Sequence, residues 1–138
     1  MRRIAAFLFA FTAAAVVAGC SEPDDSRTAT SVLESRTVDA GEVTVEITPL
    51  QLDSSGATFL VAVDTHSVDL TGDLAASSTL SVGETEWQSE GWDGAEPGGH
   101  HRQGELRFAA AGPAKGQVTL IITGLPEPVQ ASWDAGGD

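Results

Sequence analysis

The chain has 138 residues, enough for one domain of ordinary size, and sets 20 acidic against seven basic side chains for a formal charge of −13. Phosphate neutralisation needs clustered Lys and Arg, so this balance argues against nucleic acid as a partner. One cysteine and one methionine leave no disulfide within the chain and no copper centre built from thiolate and thioether ligands.

The chain begins with the layout of an export signal. Met1-Arg2-Arg3 is basic, and Ile4 to Ala18 is apolar or small apart from Thr12. That run is shorter than the roughly 20 residues a membrane-spanning helix needs. It ends in Val17-Ala18-Gly19-Cys20. This tetrapeptide resembles the lipobox of bacterial lipoproteins. The resemblance implies that residues 1–19 are a signal peptide, that cleavage precedes Cys20, and that the Cys20 thiol receives a diacylglyceryl group. Two or more acyl chains hold a protein stably on a membrane, where one holds it marginally. The product from Cys20 onward keeps five basic and all 20 acidic side chains, a formal charge of −15.

Residues 20–40 read as a lipidated flexible tether. Ser21 to Ser31 is polar and holds too little apolar surface to pack. A flexible coil of about 20 residues reaches roughly 25 Å. Val32-Leu33 and Val38 add at most a short ordered piece near its end.

Residues 41–135 read as one all-β domain. Val43, Val45 and Ile47 alternate with polar residues, and Pro49 either ends that strand or places it at an edge. Ser54-Ser55-Gly56 turns the chain, and Ala57 to Val63 is a nearly continuous apolar strand. Asp64 to Asp73 breaks the pattern, and Ala75-Ala76 suggests a single helical turn. Ser78 to Val82 and Glu84 to Gln88 are short strands, the second carrying Trp87. Gly91 to Gly104 reads as a long loop with five glycines and Pro97. Glu105 to Ala109, Gln117 to Thr123 and Val129 to Trp133 alternate again. About seven short strands with turn signals between them predict an antiparallel β-sandwich of immunoglobulin-like architecture. The Cys pair of antibody domains is missing.

All three histidines fall in the two interrupting stretches: Asp64-Thr65-His66-Ser67, and the loop from Trp92-Asp93-Gly94 to Gly98-Gly99-His100-His101-Arg102. If the stretches share one end of the sandwich, His66, His100 and His101 converge, with Asp64 and Asp93 as weaker candidates. Neutral imidazole and carboxylate suit Zn(II) or Cu(II). Consecutive residues of an extended chain point to opposite faces, however, so His100 and His101 both ligate only from an irregular loop. The structural alternative is that these histidines, with Thr65, Asp93 and Arg102, hydrogen-bond the backbone of a loop that forms no ladder. Trp92 is the best candidate for an exposed, ligand-binding aromatic; Trp133, on an alternating strand, reads as core.

The same two stretches, the second running on through Gln103-Gly104-Glu105-Leu106-Arg107-Phe108, resemble the signature stretches of a group of exported bacterial and archaeal domains. The likeness covers roughly Glu42 to Trp133. It carries no catalytic role and implies only that both histidine stretches belong to one structural feature.

The sequence contains no G-x-S-x-G nucleophile elbow and no phosphate-binding glycine loop. The expectation is therefore a non-enzymatic, extracytoplasmic binding or accessory module of the cell envelope. Its expected partners are the membrane, through lipid on Cys20, and an envelope protein or a cation. It needs no cofactor; the alternative is a Zn(II)- or Cu(II)-binding envelope protein.

Overall fold

The computed structural model describes residues 33–136; the expected signal peptide, Cys20 and most of the tether lie outside this range. Nine strands form: β1 (Arg36–Ala40), β2 (Val43–Asp53), β3 (Gly56–Thr65), β4 (Ser78–Val82), β5 (Thr85–Trp87), β6 (Ser89–Gly94), β7 (His101–Ala109), β8 (Gly116–Ile122) and β9 (Val129–Ala135). They make a five-stranded sheet, β1-β2-β3-β7-β6, and a four-stranded sheet, β5-β4-β8-β9. Every pairing is antiparallel. The order β2-β3-β7-β6 matches the A-B-E-D sheet of an immunoglobulin constant-type domain, and β4-β8-β9 matches its C-F-G sheet. The strand β5 is added beside β4, and β1 beside β2. The sandwich predicted from the alternation is the fold.

The period-two pattern works because each strand buries alternate residues. Val43, Val45 and Ile47 of β2, Phe59, Val61 and Val63 of β3, and Leu106 and Phe108 of β7 face Leu80, Val118, Leu120, Ile122 and Trp133 across one core. Phe59 meets Phe108 edge to face at 6.0 Å between ring centres, and lies 5.4 Å from the ring of Trp133. A large-to-small change here, Phe59→Ala, would cost about 3–5 kcal/mol through lost burial and the cavity it leaves.

The ordered body starts before the expected boundary at residue 41. β1 pairs with β2 from Arg36↔Ile47 to Ala40↔Val43. Trp133 Nε1 donates to the Glu34 carbonyl at 2.6 Å, and Arg36 Nε donates to the Ser132 carbonyl at 3.4 Å. The entering chain thus ties the two sheets together along one side. Pro49 does not end β2. It falls past the end of β1, where β2 has a neighbour on one side only, and a bulge follows between Pro49 and Gln51. A residue without an N–H is tolerated at such an edge.

The expected loop from Gly91 to Gly104 is mostly sheet. β6 runs to Gly94, β7 starts at His101, and only the stretch between them is irregular. The glycines permit this. Gly94 and Gly104 face each other across β6 and β7. A Cβ on Gly104 would lie 2.6 Å from the Asp93 carbonyl oxygen and 2.8 Å from the Trp92 ring. The backbones can approach, and the indole can lie over them, only because neither position has a side chain.

Candidate functional site

Arg102 is the one charged side chain in the buried set, 2% exposed. The alternation of β7 puts it on the inner face with Gly104, Leu106 and Phe108. Its Nη1 donates to the carbonyls of Leu70 at 3.3 Å and Gly72 at 2.6 Å. Nε and Nη2 both reach the Ala95 carbonyl, at 3.4 and 3.3 Å. The guanidinium also lies 5.5 Å from the centre of the Trp92 ring. Trp92 is half-buried, and its Nε1 donates to the same Ala95 carbonyl at 2.9 Å. One planar cation therefore satisfies carbonyls from both interrupting stretches and stacks on the aromatic between them. Burial pulls the Arg102 guanidinium below its ordinary pKa, and the carboxylates of Asp73 and Glu96 pull it back up.

Backbone contacts complete the join. Thr65 N–H donates to the His100 carbonyl at 2.9 Å, Leu70 N–H to the Gly99 carbonyl at 2.9 Å, and Gly98 N–H to the Leu70 carbonyl at 2.8 Å. Asp69 Oδ1 accepts from Gly99 N–H at 2.7 Å. The Thr65 hydroxyl donates to the Glu42 carbonyl at 2.8 Å and accepts from the amides of Ser67 and Val68 at 3.3 Å. Gly98 and Gly99 have φ values of +115° and +75°, which L side chains rarely adopt, so this tight join needs glycine at both positions. Residues 74–77 form a hydrogen-bonded turn and not a helix: Asp73 Oδ1 accepts from the Ala76 amide at 3.0 Å, and the Asp73 carbonyl accepts from the Ser77 amide at 3.0 Å.

The two stretches do share one end of the sandwich. Among the described residues, no group of three or more His, Cys, Asp or Glu side chains is placed to hold a metal ion. His101 begins β7 on its outer face, where Nδ1 pairs with Asp64, its cross-strand neighbour. His100 precedes it in the irregular stretch before β7 and is exposed, and His66 stands exposed beyond the end of β3. Asp93 belongs to a different group on β6, where Arg107 Nη2 bonds it at 3.2 Å and bonds Glu105 at 2.9 Å. Those two carboxylates hold Arg107 above its ordinary pKa, the hydrogen bond that Arg107 donates to Glu105 contributing most. The Asp64–His101 pair is more than half exposed on both sides, so it contributes little to stability.

Two hollows flank Trp92. One, of about 260 Å³, is lined by Asp73, Leu74, Trp92, Glu96, Pro97 and Arg102 among others. The other, of about 270 Å³, is lined by Glu90, Gly91, Trp92, Asp93 and Arg107. Asp73 and Glu90 were not singled out by sequence reasoning, because each is one acidic residue among 20. Arg102 as a buried cation was legible in principle. Extending the Leu106–Phe108 alternation backwards through Gly104 places it on the inner face. Compared with known proteins, the chain matches no family model, no curated protein and no solved structure.

Proposed function

We propose that this chain is a lipid-anchored binding or accessory module of the cell envelope, working outside the cytoplasm. The observation that carries the reading is the order of its first twenty residues: basic, apolar, small, then Cys20. The sandwich supports it by where it begins. β1 starts at Arg36, so Ser21 to Glu34 and its neighbour Ser35 lie between Cys20 and the first strand. If residues 21–33 serve as the flexible tether expected from the sequence, they reach about 20 Å, which would hold the body close to the membrane while leaving it free to turn. The charge of −15 keeps that body off anionic headgroups. The Arg102 cluster supports a scaffold role for the histidine-bearing end: its hydrogen bonds go to loop carbonyls.

The reading predicts that the native protein fractionates with membranes and is released by detergent. Cys20→Ala would move it to the soluble fraction or leave it uncleaved. A native protein that stays soluble without detergent would overturn the reading.

A further inference from the structure

We infer that the free edge of β6, with the two hollows beside Trp92, docks an extended lysine- or arginine-rich segment of a partner protein. This deepens the binding-module reading and rests on it. Among the described residues β6 closes one side of its sheet and is paired with β7 alone, so none of them places a strand beside its outer backbone N–H and C=O groups. The opposite side of the sandwich differs, because there the entering chain links β1 to β9.

Side-chain chemistry along this edge is one-sided. Glu90 and Asp93 line one hollow, and Asp73 and Glu96 line the other. Among the described residues, Glu90, Asp73 and Glu96 make no ion pair, while Asp93 shares Arg107 with Glu105. Arg102 places one positive charge beside the second hollow, but its fork is engaged by the carbonyls of Leu70, Gly72 and Ala95. Each hollow also has an apolar surface from the Trp92 indole, which suits the methylene stem of a long cationic side chain. Gly91 lines the first hollow where the β6–β7 register shifts, and a Cβ built there meets nothing within 4 Å. A glycine at such a shift leaves room for another backbone to come close. Main-chain pairing with β6 then supplies affinity, and alternate Lys or Arg side chains in the hollows supply specificity.

The test uses the full chain and a fluorescent peptide of alternating lysine and threonine, read by anisotropy. A glutamate–threonine peptide and spermine serve as comparison ligands. The lysine peptide is expected to bind, and its affinity to fall about tenfold in the double variant Glu90→Gln/Glu96→Gln, both exposed positions. Asp39→Asn/Glu46→Gln, exposed on β1 and β2, is expected to leave binding unchanged. Hydrogen exchange of the β6 amides is expected to slow in the complex. Equal loss in both double variants, spermine binding as tightly as the peptide, or no peptide binding would overturn the proposal. None of these readouts depends on Cys20, so failure here is distinguishable from failure of the anchoring reading.

Discussion

Arg102→Met tests whether the buried guanidinium is what holds the two interrupting stretches together. The substitution keeps most of the aliphatic stem and removes the fork. Two effects oppose each other. Removing a buried charge relieves a desolvation penalty, and well-packed apolar replacements of buried ion pairs are often neutral or stabilising. Here, however, the partners are three backbone carbonyls, of Leu70, Gly72 and Ala95, which cannot be replaced along with the arginine. Each buried carbonyl left without a donor costs about 1–3 kcal/mol. The Ala95 carbonyl keeps its bond from Trp92 Nε1 and the Leu70 carbonyl keeps its bond from Gly98 N–H, so of the three only the Gly72 carbonyl is fully orphaned. The lost stacking on Trp92 adds about 1 kcal/mol. The sum is a destabilisation of about 2–4 kcal/mol. Urea unfolding would show the midpoint falling with little change in slope. A thermal scan would show a loss of about 10–20 °C for a domain of this size. Arg102→Lys is expected to fall between, because an ammonium reaches fewer of the carbonyls and lacks the planar fork. A change of less than about 1 kcal/mol in Arg102→Met, with native exchange protection in both stretches, would refute the reasoning.

Other expectations follow from single contacts. Gly104→Ala would force its methyl against the Asp93 carbonyl and the Trp92 ring, and is expected to cost about 1–3 kcal/mol and to loosen β6 from β7, read by amide exchange of the β6 strand. Ser89 Oγ is buried without a hydrogen-bond partner among the described residues, so Ser89→Ala is expected to stabilise by up to about 1 kcal/mol in urea unfolding. The Asp53 carboxyl is held below its ordinary value of 3.8, chiefly by the Ser55 hydroxyl, then by the Ser55 amide and Gln51. A depressed carboxylate stabilises the fold above its unfolded pKa and loses that contribution as pH falls through the folded value. Asp53→Asn is therefore expected to flatten the acid limb of the stability curve below about pH 4 and to leave its shape near neutrality unchanged.

The parts of the fold legible in the sequence are those where alternation is strong on both sides of a strand. Val43 to Ile47, Ala57 to Val63, Ser78 to Val82 and Gln117 to Thr123 all announce themselves by period two. β1 and β6 did not, for different reasons. β1 faces inward with only Val38 and Ala40, so its sequence looks like tether. β6 is rich in glycine, and glycine reads as loop, yet here Gly94, facing Gly104 of β7, permits the close approach of the two strands. The shared end of both histidine stretches was anticipated, and the residue that joins them was treated as one hydrogen-bonding group among several. The missing signal was phase. His101 and Arg102 differ by one position along a strand, which sends the histidine outward to Asp64 and the arginine into the core. Which acidic residues flank Trp92 was not readable, since their grouping depends on how the turns after β3 and β6 fold back.

The central claim is that a lipid on Cys20 tethers this sandwich outside the cytoplasm. Intact-mass and N-terminal peptide mass spectrometry of protein from its native membranes tests it most directly. The account predicts a chain beginning at Cys20 whose sulfur carries a diacylglyceryl group. A native chain that still begins at Met1, or one whose Cys20 is a free thiol, would contradict it.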